Sequence, residues 1–156
     1  MCELGPGDEN VVTRCLDFTR RALTDWEWLP ARAGADAPGT EADADTGEHA
    51  EDVLLLVSEL VANARLYGGG PSSLVLLHTA DGLRIEVTDR SSALPVRRHH
   101  THPARPGGHG LLIVDRLARR WGAELLDGGK RVWLEVSAPR RTVRTVRTVR
   151  TVREEA

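Results

Sequence analysis

The sequence has few cysteines and few aromatic residues, and its apolar runs are short. Its 156 residues include 2 cysteines and 4% aromatic residues. Cys2 and Cys15 match neither a zinc-ligand spacing nor a disulfide framework, which is typical of a reducing compartment. A transmembrane helix needs roughly 20 apolar residues, and no run approaches that length. No basic segment followed by an apolar one opens the chain, so we expect no signal peptide, no membrane partner and a cytoplasmic location.

A net positive charge is confined to the C-terminal segment. The formal net charge of the whole chain is −2. Residues 139–156 contain six arginines and two glutamates, a net charge of +4, so residues 1–138 carry −6. A body with this charge is not expected to bind nucleic acid, which leaves only the C-terminal segment as a candidate. The fractions of apolar residues, 40%, and of charged residues, 28%, are typical of one globular domain with appendages.

Two patterns of apolar residues predict the first two helices. Apolar residues recur at helical spacing from Asn10 to about Trp28, and Pro30 is expected to end that helix. Its predicted core stripe consists of Val11, Cys15, Phe18, Ala22 and Trp26. A second helix is predicted over residues 48–67, with almost no polar face and therefore buried, and the segment Gly68-Gly69-Gly70-Pro71 terminates it.

The remaining patterns predict four strands and a third helix. Residues 73–79 and 83–89 are predicted to form a hairpin around a short turn that contains Asp81-Gly82. In its second strand Leu83, Ile85 and Val87 alternate with polar residues. A polar loop over residues 97–108 leads into a helix from about 111 to 121, which Gly122 is expected to stop. Strands over 123–126 and 131–136 follow.

Three segments are predicted to lie outside this framework. Residues 1–8 are interpreted as an N-terminal extension. Residues 31–50 are interpreted as an acidic linker, because seven acidic residues and no Lys or Arg stand between residues 36 and 52. A docking strip for a basic partner is the alternative for this segment. Residues 139–156 contain an Arg-Thr-Val repeat whose period fits neither helix nor strand, so a disordered tail is predicted, with non-specific phosphate binding as the alternative.

The central helix contains a carboxylate and an amide four residues apart. Glu59 and Asn63 therefore stand on the same helix face. A carboxylate among apolar neighbours is costly unless something pairs with it. Its partner can be a hydrogen-bonding group of the core, or a metal ion with its water and a phosphate, and this segment leaves both interpretations open. The amide oxygen of Asn63 is a hard ligand that suits Mg²⁺, and Glu59 can accept a proton beside such a metal.

Two further segments carry groups that suit nucleotide chemistry. Asp89 ends a predicted strand, where its carboxylate can accept a hydrogen bond from the exocyclic amine of a base. The segment Gly108-His109-Gly110 directly precedes a helix. Exposed backbone N–H groups and the helix dipole favour an anion at such a position. Each signal alone is weak, since Asp in turns and Gly beside helices are routine.

Together these segments resemble the N, G1 and G2 boxes of the GHKL ATPases. The three are Glu59 to Asn63, Asp89-Arg90-Ser91-Ser92-Ala93-Leu94-Pro95, and Gly108-His109-Gly110-Leu111-Leu112-Ile113-Val114. The small size and the segments Trp121-Gly122 and 131–136 are similar to the bacterial anti-sigma factor serine/threonine kinase family, over about residues 9–138. That resemblance implies a histidine kinase-like, Bergerat-type ATP-binding fold. It would be an α/β (α+β) two-layer sandwich, with helices packed on one face of a mixed β-sheet and a mobile ATP lid over residues 96–108.

The resemblance also implies roles for individual residues. Asn63 would be the Mg²⁺ ligand, Glu59 the general base, and Asp89 would bind the adenine amino group. Gly108 and Gly110 would hinge the lid and contact phosphates. The other residues assigned to ATP binding are Ser91, Pro95, Arg105, His109 and Leu111, with Arg97 and Arg98 as further phosphate partners.

The sequence departs from the family's pattern at several positions. Tyr67 stands where the family often has a histidine, four residues after the box asparagine. An N-terminal strand expected before the first helix is missing or reduced to residues 1–5, and whether the true N-terminus lies upstream stays open. The histidines His99, His100 and His102 raise the alternative of a zinc site, but no cysteine or carboxylate ligand adjoins them. A basic lid that meets triphosphate charge is the preferred interpretation.

The predicted function is that of an ATP-binding regulator with Mg²⁺ as cofactor. It would phosphorylate a serine or threonine on an anti-sigma factor antagonist of the STAS type, and sequester a sigma factor when unopposed. A nucleotide-dependent protein-binding module without kinase turnover is the alternative. Sensor histidine kinases are not expected, because no dimerisation helix with a phospho-accepting histidine precedes the domain. Topoisomerase, repair and chaperone relatives would need a further domain. Homodimerisation stays open.

Overall fold

The computed structural model describes residues 1–5, 9–29, 41–94 and 110–139, with only the backbone described at 41–44, 110 and 111. Three helices and five strands occupy these ranges. The helices are α1 (Val11–Asp25), α2 (Glu41–Tyr67) and α3 (Gly110–Leu117). The strands are β1 (Cys2–Glu3), β2 (Pro71–Thr79), β3 (Gly82–Asp89), β4 (Arg120–Leu126) and β5 (Gly129–Ser137).

The five strands form one sheet in the order β1-β2-β3-β5-β4. All four pairings are antiparallel, so the sheet of the described residues is not mixed as the resemblance implied. The helices pack on one face of this sheet, with α2 in the middle against α1, α3 and β3. The predicted two-layer α+β architecture is confirmed.

The core lies between the helices and the sheet. The alternating residues of the strands supply the side chains on the sheet side of this core. Leu83, Ile85 and Val87 of β3 are buried, as the alternating pattern predicts. The predicted stripe of α1 is also buried, including Cys15 at 0% exposed. The register partners of the three β3 residues on β2 and β5 point to the same side of the sheet and complete the layer, namely Leu74, Leu76, Leu134 and Val136. The opposite face of the sheet carries charged ladders, in which Glu135 accepts hydrogen bonds from Arg84 and Arg120.

Helix α1 ends earlier than the proline predicts. The amide of Trp28 donates to the carbonyl of Leu23, and the amide of Glu27 donates to that of Thr24. These two bonds form a Schellman motif, in which Glu27 adopts a left-handed φ of 60° at the position that glycine usually occupies. Because this motif already satisfies the last carbonyls, the helix ends at Asp25 and not at Pro30.

Helix α2 is longer at its start and less buried than predicted. It begins at Glu41, so residues 41–50 of the predicted acidic linker are helical. Thr46 and Ala50 of that segment are buried, which explains why the helix extends there despite its acidic composition. Only one face of α2 is buried, since Leu55 and Leu66 are 42% and 58% exposed. Its predicted end at the three glycines is confirmed.

Three further predictions require correction. Residues 2 and 3 form β1 and pair with β2, so they belong to the sheet and not to an N-terminal extension. The expected N-terminal strand is therefore present, reduced to two residues within 1–5. Helix α3 ends at Leu117 and not near residue 121. Strand β4 already starts at Arg120, and Gly122 lies inside it opposite Trp133 of β5. A Cβ at Gly122 would lie 2.8 Å from the Trp133 ring, so this glycine makes room for a tryptophan and does not cap a helix.

Candidate functional site

The C-terminal half of α2 carries the first predicted site residues. Glu59 and Asn63 are half-buried, on the flank of the helix beside its buried face. Within the described part of the chain, neither side chain makes a hydrogen bond or an ion pair. The alternative in which core hydrogen bonds satisfy Glu59 is therefore not supported among these residues. Two polar groups one turn apart are left available for a ligand.

The glycines after α2 connect this helix to the end of β3. The amides of Gly68 and Gly70 both donate to the carbonyl of Ala64, which closes the helix. The amide of Arg90 donates to the carbonyl of Gly68 at 3.0 Å and so fixes the end of β3 against this turn. Gly68 is five residues beyond Asn63, or about 7.5 Å along a helix axis. The N and G1 segments therefore meet at one end of the molecule.

Asp89 lies directly beneath the turn that ends α2. Its side chain has the inward parity of Val87, and the residue is 4% exposed. A Cβ built at Gly68 would overlap the Oδ2 atom of Asp89, so only glycine permits this close approach. Asp89 thus occupies the position that the sequence predicts for it, at the strand end, but it is far more enclosed than a turn residue usually is.

The residues after Asp89 form two successive turns closed by side chains. The amide of Ser91 donates to Asp89 Oδ1 at 3.0 Å. The hydroxyl of Ser91 in turn accepts from the amide of Ala93 at 3.1 Å. Asp and Ser commonly make such Asx and ST turns. The pattern Asp-x-Ser therefore fixes the direction of the chain as it leaves the sheet, and Ser91 acts there as a structural residue.

Sequence reasoning missed one residue of this site, Lys130. Its Nζ atom lies 2.9 Å from Oδ2 and 3.1 Å from Oδ1 of Asp89, and the two side chains are 6% and 3% exposed. Asp89 and Lys130 are direct partners in the β3–β5 register. The sequence did contain one indication of its burial, because Lys130 alternates in step with Val132 and Leu134, which face the core. Its partner was not predictable, since nothing in the sequence states that the start of β5 pairs with the end of β3.

The other predicted site residues lie at or beyond the limits of the described ranges. Gly110 is the first residue of α3, and Leu111 follows it in the same helix. Pro95, Arg97, Arg98, Arg105, Gly108 and His109 lie outside the described residues, as does the predicted lid. The three histidines proposed as zinc ligands lie there too. Among the residues that are described, no group of three or more His, Cys, Asp or Glu side chains is placed to hold a metal ion.

A cavity of about 370 Å³ lies elsewhere, between the N-terminal half of α2 and the end of α3. Its polar lining includes His49, Asp52, Arg116 and Arg119. Burial, followed by the charge of Glu48, raises the pKa of the Asp52 carboxyl, and His49 opposes that shift. Asp52 precedes Asn63 by about three helical turns. This cavity therefore contains none of the predicted site residues.

The comparisons with known proteins agree with this arrangement. A family model described as a histidine kinase-like ATPase domain matches residues 16–136, which is more than half of the chain. The match extends from α1 to β5 and includes the α2 flank and the Asp89 turn. No curated protein matches the chain. No solved structure matches it either. In the described ranges, no helix combines the length and the apolar character that crossing a membrane requires.

Proposed function

Because the chain belongs to the histidine kinase-like ATPase domain family, we propose that it binds ATP with Mg²⁺ and transfers the γ-phosphate to a serine or threonine of a partner protein. One observation carries this proposal: Glu59 and Asn63 stand one turn apart on α2, half-buried and without a partner in the described chain. A structural carboxylate would be expected to have a hydrogen-bonding partner.

Each residue has a distinct role in this account. Asn63 offers its amide oxygen to the metal, as Mg²⁺ is usually held by few protein ligands and by the phosphates themselves. When bound, Mg²⁺ neutralises triphosphate charge and orients the phosphate that is transferred. Glu59 accepts the proton of the attacking hydroxyl group, and its half-buried position leaves it reachable by that group. Asp89 binds the base.

The proposal also includes two partner proteins. A small kinase of this type fits a regulatory circuit, in which it phosphorylates an antagonist of the STAS type and binds a sigma factor when the antagonist is inactive. The resemblance to the anti-sigma factor kinase family supports this assignment, and the protein is then expected in the cytoplasm. A binding module without turnover would need the same nucleotide but would not need Glu59.

Glu59→Gln separates the kinase from the binding module. The change is isosteric and Glu59 is not assigned to the metal, so the affinity for Mg-ATP should stay within about threefold of wild type. Loss of a positioned general base lowers rates by roughly 10² to 10⁴. Single-turnover transfer from γ-labelled ATP to an antagonist, captured from extract with Mg-ATP present, should fall by that factor.

Glu51→Gln is the matched control for this experiment. Glu51 is exposed on the same helix, eight residues or about 12 Å before Glu59 along the axis, and the substitution removes the same charge. It should leave both affinity and transfer unchanged. If Glu59→Gln transfers phosphate at the wild-type rate, Glu59 is not a base. If the wild type binds ATP and transfers none, the binding module is the correct function.

A further inference from the structure

The buried pair between Asp89 and Lys130 bears on which purine base the site accepts. An inference from it rests on the proposed function, in which Asp89 faces the base of a bound nucleotide. Lys130 is the one lysine among the 156 residues, and the other 20 basic residues are arginines. This lysine forms an ion pair that is more than nine-tenths buried at that carboxylate. The ammonium group of this lysine is compact and has three donors, unlike the rigid, forked guanidinium group of an arginine.

The hydrogen bonds of Asp89 leave it with little spare capacity. A carboxylate offers about four lone-pair positions on two oxygens. Oδ1 accepts from the Ser91 amide at 3.0 Å and from Lys130 Nζ at 3.1 Å. Oδ2 lies 2.9 Å from Lys130 Nζ, and the Gly68 turn covers it on another side. About one acceptor position therefore remains for a base.

Lys130 supplies a donor beside that acceptor. An ammonium group has three N–H donors, and contacts with the two oxygens of Asp89 use at most two of them. Within the described part of the chain, the ammonium group of Lys130 makes no other hydrogen bond or ion pair. The pair thus presents one acceptor and at least one donor next to each other.

The chemistry of purines decides what such a pair can bind. Adenine carries a donor at position 6, whereas guanine and hypoxanthine carry an acceptor, O6. A carboxylate alone accepts only, so it favours a 6-amino group and repels O6. With Lys130 present, adenine can donate from its amino group to Asp89 and accept at N1. A 6-oxopurine can accept at O6 from Lys130 and donate its N1 proton to Asp89 when its ring is turned over relative to adenine, so that positions 6 and 1 exchange partners.

We propose that Lys130 is a specificity-determining residue that admits 6-oxopurine nucleoside triphosphates to the same site as ATP. The site then discriminates weakly at position 6 of the base. Asp89 accepts hydrogen bonds from both the Lys130 ammonium group and the bound base. Lys130 gives O6 a hydrogen-bond donor, which the carboxylate cannot provide.

The test compares ATP with inosine 5′-triphosphate, which changes position 6 and adds no 2-amino group. The dissociation constants of both, measured with Mg²⁺ by calorimetry on the full chain, should differ by less than tenfold in wild type. Hydrogen bonds to charged groups contribute about one to two decades in affinity. Lys130→Met should therefore raise the dissociation constant of inosine triphosphate, divided by that of ATP, by about tenfold or more. Using the ratio cancels any loss that affects both nucleotides equally.

Arg131→Met is the matched control. It removes one positive charge from the neighbouring position of β5, where Arg131 pairs with Glu86 and Glu124 on the other face of the sheet. The ratio should keep its wild-type value. A wild-type ratio above tenfold, or a ratio unchanged by Lys130→Met, overturns the proposal.

Lys130→Met leaves Asp89 without its buried partner and can fail to fold, so a second measurement uses the wild type. Because Lys130 is the sole lysine, metabolic labelling with ¹⁵N-lysine gives one side-chain NMR signal. Inosine triphosphate should shift that signal, and an unmoved signal at saturation contradicts direct contact. If neither nucleotide binds, the proposed function fails. If ATP binds and inosine triphosphate is excluded, only the inference about Lys130 fails.

Discussion

Glu59 and Asn63 contrast with two fully buried polar side chains of the fold, Thr19 and Asp89. The hydroxyl of Thr19 donates to the carbonyl of Cys15, and Asp89 pairs with Lys130. Buried polar groups are normally satisfied in this way. Glu59 and Asn63 are half-buried and have no such partner among the described residues. This contrast supports a ligand-binding role for the two, and it also shows that Asp89 has a structural role besides the proposed one.

The sequence predicts those site residues whose positions follow from local spacing. It does not predict those that depend on long-range strand pairing. A spacing of four places Glu59 and Asn63 together by helix geometry alone, and strand parity places Asp89 at the end of an inward-facing row. Lys130 could not be assigned, because its partner is 41 residues away in sequence. Only the antiparallel register between β3 and β5 brings the two together.

His78 is expected to make the fold less stable in mild acid. Its ring stacks on Trp26 at 5.1 Å and meets Trp28 edge-on at 5.8 Å. Burial lowers the pKa of the imidazole below its ordinary value of 6.5. The unfolded chain then binds more protons than the folded one as the pH falls below 6.5, so stability present above that pH is lost.

Thermal melts between pH 7.5 and 5.5 check this expectation for His78. The melting temperature of wild type should fall with pH over this window. His78→Phe keeps an aromatic ring for the two tryptophans and cannot titrate, so its melting temperature should depend less on pH. Equal slopes in the two proteins would remove His78 as the cause.

At the level of elements, local patterns predict where helices and strands occur better than where they end. The hairpin of β2 and β3 follows directly from alternation and turn residues. The end of α1 depends on a Schellman motif at a non-glycine residue, and the start of α2 depends on burial of Thr46 and Ala50. Such burial is a tertiary effect that overrides the polar composition of residues 41–50.

Gly122 provides a test of an element boundary that the sequence alone misassigns. Trp133 lies across Gly122, and the guanidinium of Arg84 lies 4.1 Å from the centre of the Trp133 ring. Gly122→Ala would force the tryptophan out of this stack and should lower the free energy of unfolding by about 1–3 kcal/mol.

Gly47→Ala is the opposite control for this prediction. Gly47 lies inside α2 with nothing within 4 Å of its Cβ position, so alanine should raise the free energy of unfolding by up to about 1 kcal/mol. Denaturant titration of both variants measures the two effects. A Gly122→Ala protein as stable as wild type would show that Trp133 relaxes without cost.

At the level of the whole molecule, the candidate site lies at one end of a two-layer fold. Because β3 and β5 are antiparallel neighbours, the end of β3 and the start of β5 lie side by side at one end of the sheet, beside the glycine turn that ends α2. Asp89 and Lys130 come together there although they are 41 residues apart in sequence, and Asn63 lies about one and a half helical turns before the glycine turn. The acidic body of the chain makes metal-neutralised triphosphate a more suitable ligand than bare phosphate.

The most direct test is calorimetric titration of ATP, with and without Mg²⁺, into wild type and Asn63→Ala. Loss of a group that only orients a metal ligand lowers metal affinity by about 10- to 100-fold, so loss of the proposed ligand itself should weaken Mg-ATP binding by at least about tenfold. Mg²⁺ should strengthen ATP binding to wild type but hardly to the variant. Ser58→Ala, which truncates another half-buried polar side chain of α2, should behave as wild type. Equal Mg-ATP affinity in wild type and Asn63→Ala would contradict the account.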